Sequence, residues 1–224
     1  MKVEILRCKI GGTPYRQTFL YNGEMHRSVA YLLDTLNFSD DLNDIDGNPC
    51  GRIAWECSCR QKLCGACAMV ICNIPALACS TFLDEIKLKN DTLVLEPLSK
   101  FPVIEDLRVE RSLIFETMKE AEVWLEHDAE KIPAKHFEDC YLAAKCLKCG
   151  LCLEVCPNYC GGKFAGAAFV TESYLTLCQG GELQKNAKKF FLSGCSKSGA
   201  CEQICPVGMN TLSMLAQMYR GKYR

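Results

Sequence analysis

The stretch Cys146-Leu147-Lys148-Cys149-Gly150-Leu151-Cys152-Leu153-Glu154-Val155-Cys156-Pro157 sets the pattern around which the rest of the chain is organised. Its spacing is Cys-x2-Cys-x2-Cys-x3-Cys-Pro. Gaps this short let successive thiolates converge on one inorganic core while backbone N–H groups point at the sulfurs. This is the bacterial ferredoxin run, whose fourth cysteine serves the other cluster of a pair. A related run follows, Cys195-x5-Cys201-x3-Cys205-Pro206, and another precedes both, Cys59-x4-Cys64-x2-Cys67-x11-Cys79. The earliest run has the close spacing of a plant-type [2Fe–2S] loop with a distant fourth ligand. Three such runs in one chain, two of them ending in Cys-Pro, read as a wire for electrons.

The ligand sets follow. Cys59, Cys64, Cys67 and Cys79 are the [2Fe–2S] candidates, with Gly65 and Ala66 small enough for close backbone approach. Cys57 rivals Cys59 but stretches the first gap to six. A zinc site is the alternative, since a set of four thiolates also suits that ion. Zinc sites usually pair two Cys-x2-Cys knuckles, and this loop has one. By the crossed rule, Cys205 joins Cys146, Cys149 and Cys152 around a [4Fe–4S] cluster. Cys156, Cys195 and Cys201 remain for a third cluster. A standard run would place a cysteine three residues after Cys195, where this chain has Ser198. An iron corner without a thiolate is readily lost, so [3Fe–4S] is favoured over a serine- or water-ligated [4Fe–4S].

Cysteine is 18 of 224 residues, near the level of a disulfide scaffold in a short secreted chain. Here the chain is long, Met1-Lys2-Val3-Glu4-Ile5 opens into a strand-like pattern with no signal peptide, and the cysteines sit in ligand runs. A reducing compartment is expected. The spare cysteines, Cys8, Cys50, Cys57, Cys72, Cys140, Cys160 and Cys178, default to small apolar packing, with Cys160 the one suspicious for its distance from Cys156. His26, His127 and His136 lack ligand spacing and read as surface or capping residues, and Trp124 reads as core. No Gly-rich phosphate loop, no nucleophile constellation and no sign of nucleic-acid binding is present. The most apolar stretch, Leu63 to Leu83, is broken by Asn73 and Pro75, so no membrane span is expected. Residues 1–139 carry 16 Lys and Arg against 23 Asp and Glu, a balance of −7; residues 140–224 carry 10 against 4, a balance of +6. Seven thiolates around [4Fe–4S]2+ and [3Fe–4S]1+ cores add roughly −4 to that second half. Its basic residues therefore either offset buried cluster charge or face an anionic membrane or subunit.

The expected fold is α+β in two domains: an N-terminal β-grasp domain of plant-type [2Fe–2S] ferredoxin kind over 1–100, and an all-α, bacterial-ferredoxin-like domain over 101–224. Residues 3–8 and 15–20 alternate as strands around an Ile10–Pro14 turn. Ser28 caps a helix to about Asn37 with Val29, Leu32, Leu33 and Leu36 inward, and Thr92–Leu95 is a late strand. Beyond a connector, Leu107, Ile114, Met118, Ala121 and Leu125 mark one face of a long helix over about 105–127 that ends before Pro133. Further helices are expected at 138–145, 149–156, 165–179, 183–192 and 211–219. Gly180-Gly181 ends one, and Asn210 or Thr211 caps the last.

With all three runs in place, the chain resembles the iron–sulfur (B) subunit of succinate dehydrogenase and fumarate reductase. The order of runs and their spacings match, as do the connector Glu96-Pro97-Leu98-Ser99-Lys100-Phe101-Pro102-Val103-Ile104-Glu105-Asp106-Leu107 and the stretch Lys163-Phe164-Ala165-Gly166-Ala167-Ala168. The resemblance implies a flavoprotein partner whose covalent FAD interconverts succinate and fumarate. Single electrons then pass through [2Fe–2S], [4Fe–4S] and [3Fe–4S] to or from a quinone and a membrane cytochrome b anchor, where haem b would sit. The B subunit does no substrate chemistry and lies peripherally, on the cytoplasmic face of the inner membrane, an exported periplasmic assembly being the alternative. Departures are also visible. Pro157 is followed by Asn158-Tyr159-Cys160-Gly161 where many members have a Trp near the quinone. Val207 stands where some have Lys, Ser196 where ubiquinone enzymes often have His, and Arg60-Gln61-Lys62 where the family often has Arg-Glu-Gly. These lean toward menaquinone with a dihaem anchor, or an anchor carrying the quinone pocket alone, and toward a perturbed [2Fe–2S] potential. The competing readings are the iron–sulfur subunit of another flavoprotein reductase and a free soluble ferredoxin-like carrier.

Overall fold

Alternating apolar residues put Val3 and Ile5 on one face of the first strand, and the rest of the N-terminal unit is built on that face. The computed structural model describes residues 1–132, 134–160, 164–183, 187 and 194–220, in two units, Met1–Glu110 and Arg111–Arg224. The first contains strands β1 (Lys2–Arg7) and β2 (Tyr15–Leu20), helix α1 (Val29–Asn37), and strands β3 (Ala68–Ile71), β4 (Ile74–Leu77), β5 (Thr92–Glu96), β6 (Val103–Glu105) and β7 (Arg108–Val109). Five of the strands form a mixed sheet in the order β2-β1-β5-β3-β4, with β1 and β5 parallel. Val3 pairs with Phe19 and Leu93, and Ile5 with Leu95. All five side chains are fully buried, each contributing about 1.5–3 kcal/mol by leaving water. Ser28 accepts from the Tyr31 N–H at 3.3 Å and starts α1, whose Val29, Leu32, Leu33 and Leu36 are buried.

The β3–β4 hairpin is new relative to the sequence reading, which saw only an apolar ligand-bearing stretch there. Its two-residue turn, Cys72-Asn73, has φ of 47° and 66°, the left-handed pair a tight hairpin needs.

The boundary between units falls at Glu110, not at residue 100, because β6 and β7 pair as a hairpin of the first unit. That hairpin also overturns the expected long helix over 105–127. Asp106 turns left-handed at φ 45°, and the helix that follows, α2 (Ser112–Glu120), has nine residues. Its end is a Schellman motif: Glu122 at φ 52° donates to the Lys119 carbonyl and Val123 donates to that of Met118. Val123 is buried beside that turn, and Trp124, read as core, is 47% exposed.

One polar network sits at the core end of β1. Arg7 Nη2 lies 3.0 Å from Asp106 Oδ2, with both side chains almost wholly buried. Arg7 also donates to Gln17 Oε1 and to the carbonyls of Gly51 and Arg52. Asp106 accepts from the backbone N–H groups of Cys8 and Ala54. The network ties β1, β2, the 51–54 segment and the β6–β7 turn together.

The second unit is helical in its described residues: α2, then α3 (Phe137–Ala144), α4 (Leu151–Glu154), α5 (Gly166–Cys178), α6 (Ala200–Gln203) and α7 (Thr211–Tyr219). The helix expected over 183–192 falls mostly outside the described residues, as do Pro133, Gly161 and Lys163. α5 is the axis of this unit, with ten of its 13 residues buried. Tyr174 on it is fully buried and hydrogen-bonds Asp139 of α3 and Gln217 of α7, each at 3.2 Å. Gly180, at φ 86°, and Gly181 close α5 by another Schellman motif, with Gly181 N–H on the Thr176 carbonyl. The cap of α7 differs from expectation. Asn210 makes no side-chain cap bond, and Glu202 Oε1 accepts from the Leu212 N–H at 2.7 Å instead.

Removing Asp106 leaves the buried Arg7 guanidinium without its counter-charge and two N–H groups without their acceptor. Asp106→Ala is expected to cost about 3–5 kcal/mol, read as a lowered urea midpoint of the chain, whereas Glu105→Ala, on the half-exposed neighbouring strand, stays within about 0.5 kcal/mol.

Candidate electron-transfer site

In the first unit the cysteine loop lies between α1 and β3. Arg60 and Lys62 adopt left-handed φ values of 56° and 61°, and Gly65 has φ 73°. The two non-glycine turns aim the following N–H groups at one sulfur: Gln61 N and Leu63 N both donate to Cys59 Sγ at 3.3 Å. Those bonds, Gln61 first, and the Cys64 thiol hold the Cys59 thiol down to about 7. Ala66 N–H donates to Cys64 Sγ at 3.5 Å. Cys67 and Cys79 form a second adjacent pair, with the Cys79 N–H bonded to Cys67, whose thiol burial pushes up to about 12. The four thiols picked from spacing thus meet as two neighbouring pairs. Cys57 adjoins the Cys67–Cys79 pair and takes a hydrogen bond from Arg60, though burial is the larger influence and raises its thiol.

The second unit repeats one backbone design. Lys148 and Lys197 are left-handed at φ 51° and 56°, followed by Gly150 at 88° and Gly199 at 74°. Each glycine precedes a one-turn helix, α4 or α6, and its carbonyl accepts the same two N–H groups: Leu153 and Glu154 in one case, Glu202 and Gln203 in the other. The correspondence sets Cys146 against Cys195, Cys152 against Cys201, Cys156 against Cys205, and Cys149 against Ser198. In sequence the repeat shows as the two Cys-Pro runs, with Lys148 and Gly150 matched by Lys197 and Gly199.

Two cavities lie between these loops. One is lined by Cys146, Cys149, Cys152 and Cys205, together with Ala168 of α5, and has a volume of about 30 Å³. The other is lined by Cys156, Cys195, Cys201 and Ser198, with Ala167 and Val170 of α5, and is also about 30 Å³. Each takes one fourth-position cysteine from the opposite run. Burial raises the thiols in both: Cys149 to about 11, Cys152 well above the ordinary range, and Cys201 upward. Thiolates in so apolar a setting require a positive core between them. Among the described residues no three His, Cys, Asp or Glu side chains converge as one bare ion would require. Zinc at about 2.3 Å from each sulfur needs that tight convergence, and an iron–sulfur core, which spaces its thiolates apart, does not. The residues present therefore fit clusters.

The remaining candidates distribute as follows. Cys140 and Cys178 are buried and in contact, Cys160 is exposed, and Cys8, Cys50, Cys57 and Cys72 are half-buried. Packing describes the first two well. Cys50 instead accepts from Gln17 Nε2 at 2.8 Å. His136, expected at the surface, is buried at the start of α3 and makes no side-chain cap bond.

Sheet, helical unit and cysteine cavities together define an iron–sulfur protein with a [2Fe–2S] unit followed by a two-cluster unit. Residues 2–116 match the family described as 2Fe-2S iron-sulfur cluster binding domain, and residues 145–210 match the 4Fe-4S dicluster domain. The first match spans just over half of the chain, which therefore belongs to the 2Fe-2S iron-sulfur cluster binding family. The chain is 29% identical to the succinate dehydrogenase iron-sulfur subunit of Bacillus subtilis, over 93% of its own length and 86% of that protein. It is 26% identical to the fumarate reductase iron-sulfur subunit of Haemophilus influenzae, over 97% and 91%. Its fold superposes on a chain of the Mycobacterium smegmatis Sdh1 complex in the apo form with a TM-score of 0.77 at 19% identity, covering 100% of this chain and 97% of that one.

Gly194 precedes Cys195, and a Cβ there would meet Phe164 Cβ at 2.5 Å. Phe164 lines the Cys156–Cys195–Cys201 cavity. Gly194→Ala is expected to cost about 1–3 kcal/mol by overpacking and to lower iron per chain selectively, with the [2Fe–2S] EPR signal intact.

Proposed function

We propose that this chain is the iron–sulfur subunit of a membrane-attached succinate dehydrogenase or fumarate reductase. It passes single electrons between an FAD-containing flavoprotein subunit and a quinone served by a cytochrome b anchor. The observation that carries the reading is the division of seven cysteines between two neighbouring cavities, in a chain whose other unit presents a [2Fe–2S] loop. Near full-length likeness to succinate dehydrogenase and fumarate reductase iron–sulfur subunits supports it. In this reading Cys59, Cys64, Cys67 and Cys79 hold [2Fe–2S]. Cys146, Cys149, Cys152 and Cys205 hold [4Fe–4S], and Cys156, Cys195 and Cys201 hold [3Fe–4S].

When bound, the clusters accept and release electrons one at a time, which splits the two-electron chemistry of a flavin. The chain's own residues fix the sulfur positions and, at the first site, aim N–H groups at them. Lys197, Leu212 and Leu215 line both the terminal cavity and an adjoining opening of about 390 Å³ that reaches Tyr219 and Arg220. That opening supports a quinone or anchor contact on this chain, although Asn158, Ser196 and Val207 depart from the family pattern. Menaquinone is the proposed partner quinone. None of the described helices is long and apolar enough to cross a membrane, in keeping with peripheral attachment, for which we propose the cytoplasmic face. A free carrier is the rival. The test must therefore be direct. Capture of the tagged chain from its own membranes should bring down a flavoprotein and a haem-containing or haem-free anchor; recovery of the cluster-loaded chain alone overturns the proposal.

Two outcomes test the ligand sets. Ser198→Cys completes the fourth corner, so the terminal cluster should become [4Fe–4S], with loss of the oxidised [3Fe–4S] EPR signal, a lower potential and slower quinone-linked turnover. An unchanged signal and potential would mean Ser198 is not at that corner. Cys59→Ala should abolish the reduced [2Fe–2S] signal while Cys57→Ala keeps it; the reverse pattern would reassign the ligand to Cys57.

A further inference from the structure

The loop at Cys59 needs a support that the ligand assignment does not supply. An L-residue held left-handed is strained, and Arg60 is so held at φ 56°. That conformation is what directs the Gln61 N–H to Cys59 Sγ. The Arg60 guanidinium reaches Asp34 on α1, Nη2 to Oδ2 at 2.7 Å, close but off-line for a hydrogen bond. Asp34 is 17% exposed and fixed in a helix, whereas Arg60 is 59% exposed, so the helix holds the loop and not the reverse. Arg60 also donates to the sulfur of Cys57, the competing thiol.

We propose that the Asp34–Arg60 pair is a positioning clamp for the [2Fe–2S] site: α1 pins Arg60 left-handed, which aims the Gln61 N–H at the Cys59 sulfur and keeps Cys57 out of the ligand set. The proposal rests on the reading of Cys59 as a ligand. Neither residue touches the cluster's irons; both act through the loop. N–H···S bonds stabilise the more negative, reduced form, so they raise the potential.

The sign of the shift separates a clamp from a plain charge. Deleting the negative charge of Asp34 near a cluster, by Coulomb's law alone, raises its potential. Loss of the clamp lowers it. The test is an EPR-monitored redox titration of the [2Fe–2S] signal in the assembled complex. Asp34→Asn and Asp34→Glu are both expected to shift the midpoint downward, the Glu variant with no change of charge. Lys62→Ala removes a cation from the same loop and should shift the midpoint by the same amount with or without Asp34. A rise in Asp34→Asn with no change in Asp34→Glu overturns the clamp. Should Asp34→Asn fail to assemble the cluster, adding Arg60→Gly, which enters the left-handed region without strain, should restore it; failure to restore it overturns the clamp too. A wild-type complex with no [2Fe–2S] signal, or a Cys59→Ala variant that keeps it, would instead sink the ligand assignment.

Discussion

The burial of cysteine thiols around two cavities is the constraint on which the helical unit depends. Cys149, Cys152 and Cys201 have thiols pushed upward by burial, so burial by itself favours neutral sulfur. A cluster reverses that preference by setting positive iron between the sulfurs, and its binding energy becomes folding energy. α5 shows how directly the packing depends on this. Ala167 and Val170 face one cavity and Ala168 the other, so the small side chains at the start of this central helix leave room for cores, not for other side chains. The unit is therefore a shell about two centres more than a bundle about one.

Crossing of the runs makes the two centres interdependent. Each cavity borrows a cysteine from the opposite Cys-Pro ending, Cys205 in one and Cys156 in the other, so neither cage is complete until both loops are docked. The backbone repeat makes the exchange reciprocal, with Gly150 and Gly199 starting equivalent short helices. Against that symmetry, Ser198 in the place of Cys149 is the position where the two halves differ chemically. A difference of one thiolate changes both the number of irons a cage retains and the charge that sets its potential.

The grouping of the cysteines was legible because it is local: short Cys-to-Cys gaps keep successive thiols near one another whatever the rest of the chain does. β1, β2, α1 and β5 were legible for a similar reason, since their apolar alternation or helical stripe lies within one element. What failed depended on partners or on uncommon backbone. β3 is buried along its whole length, so it shows no alternation, and its turn lacks glycine. The end of α2 is a Schellman motif with Glu122 where glycine would have announced it, and the apolar stripe therefore seemed to run on to Leu125. Leu107 joined that false stripe because it is buried in a hairpin turn, not on a helix. The cap of α7 came from Glu202, distant in sequence. The cavities themselves could be named from sequence only as ligand sets, because their depth and their shared wall on α5 are tertiary.

The left-handed residues join charge to geometry. Arg60, Lys62, Lys148 and Lys197 all sit at positive φ inside cysteine loops, and all are basic. Asn or Gly would enter that region at lower cost, so the composition is not explained by backbone preference alone. Thiolate-ligated cores carry net negative charge, and a cation on the same tight turn lies close to the sulfurs while its backbone directs the next N–H inward. At the first site the Gln61 and Leu63 N–H groups meet on Cys59, while the Arg60 charge acts on Cys57. At the second, Lys148 lines the cavity and pairs with Glu172 of α5, which moderates its charge, and the equivalent Lys197 lines the terminal cavity. Part of the +6 balance of residues 140–224 thus lies in the walls of the two cysteine cavities.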